Sequence, residues 1–99
     1  MKAYHATTNE NMERIAQDGV IKTSCGGVVY LCKRPEDACK FLLIRGLKKM
    51  CVIEVNVENK KIHESNDHSE AFFRCKAYMH DGEIELTGRE KIEEWTFDI

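Results

Sequence analysis

Tyr4-His5-Ala6-Thr7 is the stretch on which the reading of this chain turns. Residues 3–6 form a short β-like run that carries a histidine and breaks into polar residues at Thr7. Residues 7–19 then read as a helix, because Met12, Ile15, Ala16 and Val20 follow the i, i+3, i+4, i+8 spacing of one buried stripe. Gly19 stands where a left-handed residue ends a helix. A His-x-Thr that leaves a strand and opens a helix gathers an imidazole, a hydroxyl and unpaired helix N–H groups at one spot. Phosphate or ribose of a nucleotide would be held well there. The plainer account is structural: Thr7 and Glu10 have the spacing of a capping box, and His5 can serve as a hydrogen-bonded core residue.

The bulk composition sets the frame around that stretch. At 99 residues the expectation is a single domain over 1–99 with one modest core. Charged residues at 32% and hydrophobic residues at 42% describe an ordinary globular chain. A net charge of -2 and a pI near 6.1 give no footprint for non-specific nucleic-acid binding. No apolar run reaches the length of a membrane span and the N-terminus has no signal-peptide h-region, so the expected location is the cytoplasm and no membrane partner. The five cysteines are odd in number and include no Cys-x-x-Cys, which predicts reduced thiols. Their spacings to His63, His68 and His80 match no standard zinc pattern, so no metal is expected.

Working outward, Val20-Ile21 reads as a short strand and residues 23–27 as a loop. Val28-Val29-Tyr30-Leu31-Cys32, nearly all apolar and β-prone, predicts a strand central in its sheet. Pro35-Glu36-Asp37 is a good helix opening, and Ala38, Phe41, Leu42 and Arg45 share one face of the helix, which should end near Gly46. Residues 50–58 alternate, with Cys51, Ile53, Val55 and Val57 on one side and Glu54, Asn56 and Glu58 on a wet side. Residues 59–70 read as a loop, 71–79 as a strand, His80-Asp81-Gly82 as a turn and 83–86 as a short strand. A helical turn over 89–93 and a final strand carrying Trp95, Phe97 and Ile99 complete the chain. The sum is an α+β fold: two helices in the N-terminal half and a mostly antiparallel, split β-sheet.

Period-2 geometry in 83–86 sends Ile84 and Leu86 inward and sets Glu83 and Glu85 roughly 7 Å apart on the outer face. Two carboxylates at that spacing would suit an inverting glycosidase. A solvated strand face is the plainer reading of the same pair.

Taken in order, these elements resemble the ADP-ribosyltransferase superfamily, in its His-Tyr-Glu branch and its small bacterial and phage relatives. The resemblance rests on Tyr4-His5-Ala6-Thr7, a helix ending in Gly19, Val28-Val29-Tyr30-Leu31 and a late strand beginning Gly82-Glu83-Ile84. The front of the chain, with Asn11 and Ile15, is also similar to DNA-targeting ADP-ribosyltransferase toxins and tRNA 2′-phosphotransferases. The resemblance implies NAD as the substrate and mono-ADP-ribosyl transfer to an acceptor that is a protein, a nucleic acid or a small molecule. It implies that His5 contacts the adenosine ribose, that Thr7 holds the nicotinamide or ribose end, and that Tyr30 stacks on nicotinamide. Glu83 would hold a ribose hydroxyl and oppose the positive charge that develops as nicotinamide leaves, with Glu85 its rival on the same face. The alternative is a non-catalytic domain of this fold that binds a nucleotide or a protein partner. The chain departs from the pattern in having Phe41 where a second tyrosine would follow Tyr30, and no arginine after the first strand.

Overall fold

The β-like run at residues 3–6 becomes an edge strand, β1 (Lys2–Thr7), that runs antiparallel to β4 (Lys49–Asn56) from Lys2 opposite Asn56 to Thr7 opposite Cys51. The computed structural model describes residues 2–23, 27–57, 62–64 and 77–98. On its far side β4 pairs antiparallel with β8 (Ile92–Thr96), which gives a sheet of order β1-β4-β8.

Helices cover both faces of this sheet. Ala3, Cys51, Ile53 and Val55 bury one face with Met12 and Ile15 of α1 (Asn9–Asp18). On the other face, Met50 and Val52 pack with Cys39 and Leu42 of α2 (Pro35–Leu43), flanked by Tyr4, Ala6 and Trp95. The expected wet side of β4 is therefore corrected. Glu54 is half-buried and Asn56 exposed, but Met50 and Val52 on that side lie under a helix. Alternation reported one buried face, and α2 supplied the second cover.

A second sheet has the order β3-β6-β5, built from β3 (Val28–Leu31), β6 (Tyr78–Asp81) and β5 (Ile62–Glu64), all antiparallel. A two-stranded pair, β2 (Val20–Ile21) with β7 (Ile84–Glu85), closes over α1, with Ile21 and Ile84 in the same core as Met12 and Ile15. The two larger sheets meet at a single bridge. Tyr4 N–H donates to the Cys32 carbonyl at 2.7 Å, and Cys32 N–H donates to the Tyr4 carbonyl at 2.9 Å. Beyond it, no β1–β3 ladder continues among the described residues. This corrects the expectation of a central β3, which is paired along β6 and only pinned to β1. Among the described residues the chain is thus a small α+β fold with two helices and mostly antiparallel strands.

Local chemistry explains the helix ends. Thr8, not Thr7, caps α1, and its Oγ1 accepts from Asn11 N–H at 3.1 Å. The capping box expected at Thr7 is one residue out of register, because Thr7 is still the last paired residue of β1. Thr8→Ala should cost about 1 kcal/mol of stability, read from a urea midpoint at unchanged m-value. Proline stands in the first turn of α2, with Glu36 and Asp37 beside it, as the sequence predicts. The helix closes in a Schellman arrangement: Gly46, at φ +87°, donates to Leu43, and Leu47 N–H reaches back to Leu42 at 3.1 Å. That closure fixes Ile44 and Arg45 just before the turn.

Two other expectations are corrected. Residues 62–64 are a strand inside a stretch read as loop, too short to show a period of their own. The expected helical turn at 89–93 is a carboxylate-capped loop followed directly by β8. Glu90 accepts from the N–H groups of Thr87 and Gly88 at 2.9 Å each and from the Thr87 hydroxyl at 3.0 Å. Local side chain–backbone bonds of this kind compete with helix. Burial pushes the Glu90 carboxyl up, but the donors of Thr87, Gly88 and its own backbone outweigh it and hold it below the ordinary value of 4.5. A lowered folded value means stability present above pH 4.5 and lost as pH falls through the folded value. Glu90→Gln should therefore lower the melting temperature at pH 7, with the gap to wild type closing in acid. The parts of the expected strands and loops at residues 24–26, 58–61, 65–76 and 99 lie outside the described residues.

Candidate functional site

Where β1 and β3 part, the side chains beside the gap line a cleft. Tyr4, His5 and Ala6 come from β1, and Tyr30 and Leu31 from β3, with Cys32 next to them. The far wall is the C-terminal half of α2, with Phe41 and Leu42, continued by Ile44 and Arg45. The cleft encloses about 400 Å³, within the span of about 300–1,000 Å³ usual for small-ligand sites. Val29 and Leu31 bury in the α1-side core and Cys32 packs on the opposite side with Ala38, so the cleft, which takes in both Leu31 and Cys32, is lined from both faces of β3 at the gap.

His5 ties the gap together. Its Nδ1 lies 2.9 Å from the Tyr30 carbonyl. A carbonyl only accepts, so Nδ1 carries the proton and donates, which leaves Nε2 as an acceptor when the ring is neutral. Burial pushes the His5 pKa below its ordinary 6.5, against the opposite pull of the Tyr30 carbonyl, so the neutral ring is favoured at pH 7. A neutral imidazole with a free acceptor nitrogen suits a hydroxyl donor such as ribose.

Of the residues named from the sequence, His5 and Tyr30 are brought together across 25 positions of chain. Thr7 is buried at the end of β1 and does not line the cleft. Glu83 does not line it either. It is exposed and follows Gly82, whose N–H donates to the Gly27 carbonyl at the start of β3. Glu85 is exposed on β7 opposite Val20. As expected, Ile84 turns inward and both glutamates outward. Among the described lining residues none is a carboxylate, and the charged one is Arg45.

Phe41, Ile44 and Arg45 were not named as site residues from the sequence. A signal for them existed. Arg45 falls on the same helical stripe as Ala38, Phe41 and Leu42, where a core helix would place an apolar side chain.

The cysteines offer little chemistry. Cys32, Cys39 and Cys51 are buried thiols; Cys25 and Cys75 lie outside the described residues. Burial, helped by Glu36, pushes the Cys39 thiol up to about 11, and burial with Glu94 raises Cys51, so neither is a ready thiolate at pH 7. Among the described residues no cluster of His, Cys, Asp and Glu could hold a metal ion. No described helix is long and apolar enough to cross a membrane.

The fold is α+β, and its two larger sheets part beside the His5–Tyr30 pair. Comparison with protein-family models, curated proteins and solved structures finds no match.

Proposed function

We propose that this chain is an ADP-ribosyltransferase-like domain that binds NAD in the cleft between β1, β3 and α2. The observation that carries the reading is the parting of the two sheets, which puts the neutral His5 and Tyr30 on one cleft of ligand size. In this reading Tyr30 stacks on a ring of the ligand and His5 Nε2 accepts from a ribose hydroxyl. Phe41 supplies an apolar wall. Thr7 supports the site through its place in β1, one residue before the cap of α1. NAD, when bound, brings a ribosyl–nicotinamide bond whose cleavage places positive charge on the ribose. Transfer to an acceptor then needs a carboxylate from this chain, and Glu83 is the residue the family resemblance names.

The cleft carries binding more directly than it carries transfer, so the test separates the two. Melting of the protein with and without NAD reads binding, since a ligand held by the native state alone must raise the midpoint. Nicotinamide release from NAD reads chemistry. Glu83→Gln should abolish release and keep the NAD-dependent shift in melting, because the lost charge acts in the transition state. Glu85→Gln should leave release in place. A wild-type shift with no release supports the non-catalytic binding module; no shift ends the NAD reading. If release survives in both variants, Glu83 is the wrong carboxylate.

A further inference from the structure

We infer that Arg45 is the phosphate-holding group of the cleft, so that the site takes a nucleotide in preference to the matching nucleoside. The inference rests on the proposed nucleotide reading and adds which side chain recognises the anionic part.

Arg45 is the charged residue among the described lining, where the other side chains are aromatic, aliphatic, a thiol and a neutral imidazole. No ion pair involves its guanidinium among the described residues, whereas Arg14, Arg34, Lys40 and Lys91 each face a carboxylate at 3.4 Å or closer. Its position is fixed by the chain turn after α2, where Leu47 N–H returns to Leu42 and Gly46 takes its left-handed conformation. The negative end of a helix accounts for a cation in the last turn. It does not account for one on the stripe that also carries Ala38, Phe41 and Leu42 into the cleft lining. A phosphate would give that fork of N–H donors its paired acceptors, while Tyr30 and Phe41 flank the ring. The neutral His5 leaves the anion to Arg45.

Calorimetric binding of two matched pairs tests this: AMP against adenosine, and nicotinamide mononucleotide against nicotinamide riboside. Whichever half of NAD the cleft holds, the phosphorylated member of that pair should bind about tenfold tighter at low salt, and the gap should shrink as salt rises. Arg45→Gln should erase the gap while leaving the nucleoside affinity and the melting temperature of the free protein unchanged. Arg45→Lys, a point charge without the fork, should restore part of it. A gap that persists in Arg45→Gln, or a wild type that binds nucleoside and nucleotide equally, overturns the role of Arg45 and leaves the nucleotide cleft standing. Failure of all four compounds and of NAD to bind overturns the cleft reading and this inference together.

Discussion

If the proposed cleft holds NAD, Tyr30→Ala should raise the dissociation constant by about ten- to a hundredfold, the loss expected when a stacking contact worth roughly 1–3 kcal/mol is removed. Tyr30 lines the cleft through its side chain and holds the gap through its carbonyl, which accepts from His5 Nδ1 at 2.9 Å. Alanine removes the ring and leaves the carbonyl that accepts from His5 in place. Tyr30→Phe, which keeps the π-face, should retain most of the affinity. Tyr78 gives the control. It sits on β6 opposite Leu31, with Lys33 Nζ 5.1 Å from its ring centroid, and it does not line the cleft. Tyr78→Ala should leave NAD binding unchanged. Equal affinity in wild type and Tyr30→Ala, measured on folded protein, would remove Tyr30 from the site.

That His5 and Tyr30 each sit on a strand was legible in the residues, while their meeting was implied only by the family resemblance. A histidine amid a β-like run and a tyrosine inside Val28-Val29-Tyr30-Leu31 both carry period-2 information. That β1 and β3 are pinned by one bridge and then part was not legible, since a gap between strands has no local signature. The same holds for β4, whose second buried face depends on where α2 lies. Thr7 and Thr8 are chemically alike, so the cap of α1 was decided by how far β1 keeps its partner rather than by propensity. Glu83 illustrates the limit for sites. Its strand geometry was right, with Ile84 inward, yet a short strand does not say which cleft its outer face borders. Arg45 shows the converse, since a charge on an apolar stripe was visible and its meaning waited on the cleft.

Ile53 and Ile92 let burial be separated from chemistry. They are Cα partners on β4 and β8, in a cross-strand row that begins at His5 on β1. Partners in register point to the same face of a sheet, so the two isoleucines differ in position along the row and not in side. Ile53 is 0% exposed in the α1-side core with Ile15, Val29 and Ile84, while Ile92 on the edge strand is 47% exposed. Ile53→Ala removes buried methylenes and leaves a cavity, at a cost of about 2–5 kcal/mol. Against the roughly 5–15 kcal/mol that holds a small domain together, that is a large share. Ile92→Ala loses contact with a half-solvated surface and should cost well under about 1 kcal/mol. Urea unfolding of both variants checks the pair, with the midpoint falling steeply for Ile53→Ala and barely for Ile92→Ala. Because Ile53 stands beside His5 in the row, Ile53→Ala should also weaken NAD binding through the loosened gap, and Ile92→Ala should not. Equal losses of stability would mean that β8 is buried in solution, and that its edge meets a partner.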